Sequence, residues 1–292
     1  MATPSEIVPG YWVFHSRAMA YNAGLIVRDG LAALIDPGPH RDEIEAIAAF
    51  TTAQGATIEL ILLTHSHWDH ILGPERLPPA RIVVQQRYPE ITAAFGERIT
   101  AHIRRWEQRH AYGRPTPFQI PQPDLAAEHA TNLAFGGSNL HLLHIPGHAD
   151  DHMAIFEPAS GVLWAADTLS DLEIPFISES LADYEIALER MAALDIRALI
   201  PGHGSATPDT GEIQSRISQD RAYLATLRER IGQVIAAGGS IDDAKRACAL
   251  ELRHPDVNSG AHRMNVESAY IELGGPADPD LVGWKQNGLW DE

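Results

Sequence analysis

The sequence predicts a layered α/β protein that combines parallel and antiparallel strands in mixed sheets. Two observations support this prediction. Short β-type runs alternate with helix-period segments along most of the chain, and adjacent β-type runs are joined by tight turns. From residue 211 onward the pattern is helical only, which predicts a helical region after the mixed part.

The first half of the chain begins with a predicted hairpin at residues 23–36, where Asp29-Gly30 forms the turn. A helix-period stretch follows, and a β-type run then ends at Thr64-His65. The remaining segments of this half alternate in the same way. The predicted elements after the hairpin are a helix at 40–54, strand 58–63, a helix from about 68 to before Pro78, strand 81–85, helix 88–112 and a proline-rich loop at 115–123.

The second half contains β-type runs separated by one helical segment before the all-helical end. Ser160-Gly161 is the predicted turn between two of the strands, and Ser240 is the predicted N-cap of a late helix. The predicted elements are strands 139–145, 153–156 and 162–165, helix 181–194, strand 198–200, and helices 213–237, 241–252 and 263–273.

Composition restricts the class of protein. The 292 residues are 45% hydrophobic and 21% charged, which is enough for a large buried core. No apolar run reaches the roughly 18 residues of a membrane span, and residues 1–10 lack signal-peptide features. With Cys248 as the single cysteine, no internal disulfide is possible. These features predict a cytoplasmic protein that is neither exported nor membrane-spanning, and they leave oligomerisation open.

The segment Thr64-His65-Ser66-His67-Trp68-Asp69-His70 is rich in potential metal ligands. His65 and His67 lie two apart after a strand, so both rings can face one ion, whereas Asp69 and His70 project in another direction. Three further β-type runs end in a potential ligand, namely His148, Asp167 and His203. Loops at one edge of a layered α/β fold converge, so these groups are predicted to meet.

The HxHxDH motif at 65–70, followed by His148, Asp167 and His203, resembles the metal-binding set of the metallo-β-lactamase superfamily. Asp36 matches the first motif of that family, and the likeness covers roughly residues 11–204. The resemblance implies a four-layer αββα sandwich with a C-terminal helical extension. It implies a catalytic domain at 1–208 with a helical lid insertion at 88–123, followed by the extension at 209–292.

The same resemblance implies how two divalent metal ions are held. His65, His67 and His148 would bind one ion, Asp69, His70 and His203 would bind the second, and Asp167 would bridge the pair. Zinc is the preferred metal, with manganese, iron or cobalt as alternatives. Asp36 is expected behind the site without a metal bond. The histidines predicted not to be ligands are His144 and His152 beside His148, and His15, His102, His110, His129 and His254 at the surface; His262 is left open.

Two ions about 3.5 to 4 Å apart can lower the pKa of a shared water from near 16 toward about 7. The implied reaction is attack of that activated water on an ester, thioester, amide or phosphodiester. Asp69 is the expected catalytic residue, because a carboxylate beside the water can transfer a proton to the leaving group. The likeness therefore predicts a metal-dependent hydrolase.

Local motifs separate the subfamilies. Asp167 and the lack of a nearby cysteine disfavour β-lactamase activity, and Ser170 stands where lactonases of this fold carry a tyrosine. Residues 168–171 lack the arginine-glycine-cysteine signature of the glyoxalase II type. The GHADDHMA segment at 147–154 is similar to the lactamase-like endoribonucleases and thioesterases.

The favoured substrate is therefore a small ester, thioester or lactone. RNA is the alternative substrate, and a sulfur dioxygenase with a single iron is a third class. The net charge of −17 disfavours a polyanion. An RNA-binding track would have to come from the lid insertion, whose basic and aromatic residues are Arg98, Arg104, Arg105, Arg109, Arg114, Trp106 and Tyr112. These arginines also fit a solvated helix face.

Overall fold

Two β-sheets packed face to face form the centre of the molecule. The computed structural model describes residues 4–110 and 116–276. The first sheet has seven strands, whose spatial order equals their chain order. These strands are β1 (Ser5–Val8), β2 (Tyr11–His15), β3 (Asn22–Arg28), β4 (Leu31–Ile35), β5 (Thr57–Leu62), β6 (Arg81–Gln85) and β7 (Leu125–Ala127).

The second sheet has five strands in the order β12-β11-β10-β9-β8. Its strands are β8 (Ala130–Phe135), β9 (Ser138–His144), β10 (Met153–Glu157), β11 (Val162–Ala166) and β12 (Ala198–Pro201). Strands β8 to β11 pair antiparallel, and β12 joins β11 in parallel. In the first sheet β1 to β4 are antiparallel and β4 to β7 parallel, so both sheets are mixed as predicted.

Helices cover the outer face of each sheet, which completes the four-layer αββα sandwich. They are α1 (Arg41–Ala53), α2 (Tyr88–Arg109), α3 (Leu181–Ala192), α4 (Thr210–Ala236), α5 (Ile241–Ala247) and α6 (Pro255–Glu272). Successive residues of a strand point to opposite faces of the sheet, so their side chains pack in different layers of the sandwich. On β11, Val162 and Trp164 face the core between the sheets, and Leu163 and Ala165 face the helices.

The helices divide between the two sides of the sandwich. Helices α1 and α2 contribute to the apolar cluster on the outer face of the first sheet. Helices α3 to α6 contribute to one continuous cluster on the outer face of the second sheet. The predicted domain boundary at residue 208 therefore lies between α3 and α4, which share one apolar cluster. The division of the chain into two domains stays a prediction.

The predicted helix from about residue 68 to Pro78 is wrong. Residues 68–73 form turns, and only one turn of 3-10 helix follows, at Pro74–Arg76. Gly73 lies so close to the carbonyl group of Pro37 that a Cβ atom at this position would overlap it. The segment is therefore bound to the loop after β4, and this tertiary contact overrides the helical periodicity.

Other differences concern short strands and helix ends. The predicted hairpin is confirmed as β3 and β4, with Asp29 and Gly30 both at positive φ. Strands β1, β2, β7 and β8 were not predicted. Helix α5 ends at Ala247 instead of residue 252, and α6 begins at Pro255 instead of residue 263. Proline at a first helical position loses no hydrogen bond, so it starts this helix.

The predicted lid insertion packs on the first sheet through α2. Ile103 and Trp106 are buried in the outer cluster, and Trp106 contacts the ring of Trp68 at 5.3 Å between centroids. Arg104, Arg105 and Arg109 are exposed, whereas Tyr112 and Arg114 lie outside the described residues. A lid function of residues 88–123 stays a prediction. No helix within the described ranges combines the length and apolar character that a membrane span requires.

Candidate metal centre

The seven predicted ligands meet at one edge of the two sheets, each just beyond the end of a strand. The segment 65–70 follows β5, His148 follows β9, Asp167 follows β11 and His203 follows β12. The side chains form two groups in which the potential ligand atoms lie within 4.8 Å of one another. The first group is His65, His67, His148 and Asp167, and the second is Asp69, His70 and His203.

Asp167 lies between the two groups. Its Oδ2 atom is 3.6 Å from Nε2 of His65 and 3.4 Å from Nε2 of His148, both in the first group. The same oxygen is 3.7 Å from Nε2 of His203 in the second group, and Oδ1 is 3.3 Å from Nε2 of His70. One carboxylate is therefore within reach of both groups, as a bridging ligand has to be.

Several inward-facing atoms have no hydrogen-bond partner although they are buried. Among the described residues these include Nε2 of His65, Nε2 of His70 and Oδ1 of Asp167. Buried polar atoms normally have a partner, and exceptions require an explanation. Imidazole nitrogens and carboxylate oxygens that converge on one space have the chemistry of ligands for divalent ions. The residues therefore fit the metal ions that the resemblance implies.

Hydrogen bonds from the outer ring nitrogens orient three of the histidines. Nδ1 of His148 donates to the carbonyl of Phe176 at 3.2 Å, and Nδ1 of His203 donates to the carbonyl of Met19 at 2.9 Å. Nδ1 of His70 lies 2.9 Å from Oδ2 of Asp36. Donation from Nδ1 leaves Nε2 as the free lone pair, which is the state that a metal ligand needs.

Asp36 lies behind the ligands. It accepts from the backbone N–H of Thr64 at 2.8 Å and from the Thr64 hydroxyl at 2.6 Å. Since the Thr64 hydroxyl proton goes to Asp36, its oxygen can accept from Nδ1 of His65, 3.0 Å away. Asp36 and Thr64 thereby fix His65 and His70 from outside, in the position expected from the sequence.

Burial and neighbouring imidazoles determine the charge of the first group. Burial, with the nearby rings of His70 and His67, lowers the pKa of His65 well below its usual value. Burial and His148 do the same for His67. Both rings are therefore neutral at physiological pH, with a lone pair available for a metal ion.

Carboxylates in and around the second group determine the charge of its histidines. Burial alone would raise the pKa of Asp167, but the imidazoles of His70 and His203 hold it well below its ordinary value. Burial would lower the pKa of His203, but Glu173, Asp167 and Asp69 raise it to about 10. Without metal ions, protons on His70 and His203 balance the carboxylates, and metal ions supply that positive charge when they bind.

Two glycines allow the loops to approach the ligands. A Cβ atom on Gly202 would lie well inside 3.0 Å of Oδ1 of Asp167, and a Cβ on Gly147 would overlap the backbone of Tyr184. Gly147 also has a φ of 125°, which other residues rarely adopt. Each glycine directly precedes a predicted ligand. The close approach that they allow lets the chain turn toward the site soon after β9, where His148 lies, and soon after β12, where His203 lies.

Comparison with known proteins agrees with this geometry. The family model described as the metallo-beta-lactamase superfamily matches residues 17–203, which is more than half of the chain. The chain belongs to the metallo-β-lactamase superfamily. The match ends at the last predicted ligand of this superfamily site, so helices α4 to α6 lie beyond it.

Relatives of this chain include proteins named hydroxyacylglutathione hydrolase. One from Xanthomonas euvesicatoria is 30% identical over 181 residues, which are 62% of this chain and 58% of the relative. One from Acidiphilium cryptum is 26% identical over 218 residues, with 74% of this chain and 77% of the relative covered. The chain thus spans little more than half the length of the Xanthomonas relative.

Solved structures share the fold of this chain at low sequence identity. A metallo-beta-lactamase family protein from Thermus thermophilus superimposes with a TM-score of 0.66 at 23% identity, covering 94% of this chain and 98% of that one. An inverting sec-alkylsulfatase from Pseudomonas sp. gives a TM-score of 0.78 at 15% identity, with 97% and 52% covered. These likenesses support the fold alone.

His152 supports the superfamily site without belonging to either ligand group. Its Nε2 accepts the backbone N–H of Asp167 at 3.2 Å, so that lone pair is already used. His144 also points away from the ligands, toward His129 and the carbonyl of Asp150. Both therefore lie where the sequence predicted non-ligand histidines.

The remaining histidines lie outside both ligand groups. His102 was predicted to be exposed, and this is wrong, because its ring is buried against Trp68 at 4.9 Å between centroids. His262 contacts the Tyr223 hydroxyl and the carbonyl of Cys248 among the C-terminal helices. The histidines that are exposed as predicted are His15, His110, His129 and His254.

The loop between β11 and α3 was not recognised in the sequence as part of the site. Phe176 of this loop accepts the hydrogen bond from His148, and the hydroxyl of Ser178 donates to the carbonyl of His148. Ser170 donates to the carbonyl of His203 at 2.8 Å. The loop therefore fixes both histidines that follow the second sheet, and only the tertiary structure reveals this role.

Two buried asparagines of α6 hold this loop in place. Asn258 accepts the backbone N–H of Ile174 at 3.0 Å, and Asn265 accepts that of Ile177 at 2.7 Å. Asn265 also donates to the carbonyl of Pro175 at 2.6 Å. The asparagines are seven residues apart, so they share one face of the helix. The C-terminal helices thus support the loop that orients His148.

Asp151 is a buried carboxyl group behind the segment that carries His65 and His67. Burial raises its pKa to about 7, and hydrogen bonding by Ser66 opposes the shift. Neither carboxylate oxygen has a hydrogen-bond partner of normal geometry among the described residues. Because an unfolded aspartate titrates near pH 3.9, ionisation of Asp151 destabilises the folded chain.

The Asp151→Asn variant tests this destabilisation. The raised pKa means that the stability of the parent is fully present below about pH 4 and is lost as the pH rises through about 7. The variant has no such loss, so its unfolding free energy relative to the parent should increase by up to about 4 kcal/mol between about pH 4 and pH 8. Urea unfolding of the metal-free proteins measures the difference, and a pH-independent difference would contradict the prediction.

Proposed function

We propose that this chain is a metal-dependent hydrolase that cleaves a small thioester, ester or lactone with a water activated between two divalent ions. The observation that carries the proposal is the position of Asp167, whose carboxylate is within 3.7 Å of histidines from both ligand groups. In the proposed assignment His65, His67 and His148 hold one ion, and Asp69, His70 and His203 hold the other. Asp167 bridges the two.

Bound metal ions would supply a nucleophile at neutral pH and polarise the attacked carbonyl oxygen. Asp69 is the proposed catalytic residue. Its Oδ2 is 3.3 Å from Nε2 of His203 and 3.5 Å from Nε2 of His70, and the two imidazoles lower its pKa against the opposing effect of burial. An ionised carboxylate held at this point can take a proton and pass it to the leaving group.

Thioesters are the first substrates to test, because several relatives are named hydroxyacylglutathione hydrolase. Residues 168–171 of this chain read Thr-Leu-Ser-Asp and lack the signature of the glyoxalase II type. We therefore propose cleavage of a thioester bond without assigning glutathione as the thiol. Ester and lactone substrates require the same attack on a carbonyl carbon.

The metal and the cellular location are part of the same proposal. Imidazole and carboxylate ligands without a thiolate suit zinc first, and manganese or iron second. The one cysteine, Cys248, is buried and free, which suits a reducing cytoplasmic location. We also propose residues 1–208 as the catalytic domain and 209–292 as a helical extension.

Replacement of Asp69 tests the function. Asp69→Asn keeps the shape of the side chain and removes the proton acceptor, so kcat is expected to fall about 100- to 1000-fold. The assay uses an acyl thioester, an aryl ester, a lactone, a β-lactam and single-stranded RNA, and elemental analysis gives the metal content of each protein.

The matched control for Asp69→Asn is Asp195→Asn. Asp195 has a side-chain exposure of 90% and precedes β12, so it lies at the opposite end of that strand from His203. This variant should match the parent in every assay. Cleavage of RNA alone, lost in Asp69→Asn and weakened by salt, would replace the proposed function with the endoribonuclease alternative.

A further inference from the structure

We propose that Glu173 is a specificity-determining residue, which makes the site prefer a cationic or neutral leaving thiol to an anionic one. This inference rests on the proposed function. Glu173 lies in the loop between β11 and α3, six residues beyond Asp167. Its Oε1 atom is 3.9 Å from Nδ1 of His203, on the outer side of that ligand ring.

The position of Glu173 between the ligands and solvent is the first argument. Its side chain is 36% exposed, whereas those of His203 and Asp69 are 7% and 9% exposed. It therefore reaches solvent beside the second ligand group. Asp69 belongs to that group, so in the proposed reaction the leaving thiol departs on the Glu173 side.

The second argument is that no arginine or lysine pairs with the Glu173 carboxylate. Within the described part of the chain, His203 is the one basic side chain with a nitrogen within 4.0 Å of that carboxylate. The neighbouring guanidinium of Arg253 donates to the backbone carbonyl of Glu173 and pairs with Asp220 at 2.9 Å. The guanidinium nearest to this loop residue is thus engaged by Asp220, which leaves the partly exposed Glu173 carboxylate open to a cationic group of a substrate.

The third argument is that the backbone of Glu173 is fixed on both sides. Its N–H donates to Oγ of Ser170 at 3.0 Å, and its carbonyl accepts from Arg253. Asn258 holds the next residue, Ile174, by its N–H at 3.0 Å. A charge on a fixed backbone acts at a defined point, which makes discrimination between substrates effective.

The other side of the loop has a different character. The ring of Phe176 lies 5.8 Å from the ring of His148, which belongs to the first ligand group. The loop thus presents an apolar edge near the first group and a negative edge near the second. An apolar acyl part and a cationic or neutral thiol part match these two edges. A glutathione thioester carries a net negative charge on its thiol part and is predicted to be disfavoured.

The test uses three thioesters with the same acyl group and different thiols. The thiols are thiocholine, which is cationic, N-acetylcysteamine, which is neutral, and 3-mercaptopropionate, which is anionic. At about pH 8 and low salt, kcat/KM of the parent should be at least about tenfold higher for the cationic than for the anionic thioester. In Glu173→Gln this ratio should fall to within about twofold of one, whereas Glu173→Asp should retain most of it.

A second readout does not depend on turnover. The three matching thioethers cannot be hydrolysed, and calorimetry of the metal-loaded protein gives their Kd values. The Kd values should follow the same charge order in the parent and lose it in Glu173→Gln. The control Asp195→Asn removes one negative charge elsewhere and should keep the order.

The possible outcomes separate this inference from the proposed function. A charge order in Kd without hydrolysis of any thioester, ester or lactone would support the role of Glu173 and contradict the proposed function. Hydrolysis of all three thioesters with the same charge ratio in the parent and in Glu173→Gln would support the proposed function and overturn this inference.

Discussion

Replacing Asp167 by alanine is expected to remove both metal ions at once and to reduce kcat by at least about 1000-fold. The physical reason is the shared carboxylate, whose Oδ2 lies within 3.7 Å of Nε2 of His65, His148 and His203. Loss of an ordinary ligand weakens one site, but loss of the bridging ligand also leaves positive ions close together without the charge between them.

Metal analysis and kinetics together measure this effect. The expected metal content of Asp167→Ala after washing is below one ion per chain, while Asp195→Ala should bind as much metal as the parent. The hydrogen bond from the backbone N–H of Asp167 to His152 does not involve the carboxylate, so the loop should remain folded. An Asp167→Ala protein with two tightly bound ions and normal activity would contradict the bridging role.

Gly202→Ala is expected to reduce kcat about 100-fold without a change of ligand. A Cβ atom at this position meets Oδ1 of Asp167 well inside 3.0 Å, and the backbone carbonyl of Ala166 only 3.3 Å away limits any other adjustment. The Asp167 carboxylate must therefore move. A displacement of about 1 Å in a catalytic constellation costs on the order of 100-fold in rate.

Gly232→Ala is the matched control for this substitution. Gly232 lies within α4, and a Cβ atom there has no neighbour within 4 Å. Alanine in a helix interior is favoured over glycine by about 1 kcal/mol, so this variant should be fully active and slightly more stable. Equal activity of Gly202→Ala and Gly232→Ala would show that the carboxylate tolerates the added methyl group.

The sequence predicted that the seven side chains would meet, because the segments that carry them each follow a strand. His65, His148, Asp167 and His203 all stand just beyond a β-type run, and convergence of strand ends at one sheet edge is a general property of layered folds. The fold class followed from the same alternation. The structure divides the histidine and Asp69 side chains of the site into the same two groups that the family likeness implied, and it places Asp167 with the first group.

The sequence did not predict what depends on contacts between distant segments. The turn at 68–73 has helical periodicity, and only its contact with Pro37 shows why no helix forms. His102 looked like a surface residue because the burial of its ring depends on Trp68, more than thirty residues away. Glu173 and Asn265 carry no motif, and their roles require the docking of α6 on the loop after β11.

The hydrogen bonds between α6 and this loop also bear on the order in which the chain assembles during its synthesis. All seven proposed ligands precede residue 204, so they emerge from the ribosome before α6. The backbone N–H groups of Ile174 and Ile177 find their partners only when Asn258 and Asn265 arrive, the latter 88 residues after Ile177. Until then those buried donors lack a protein acceptor. Final orientation of His148 is therefore a late event, which depends on the translation of α6.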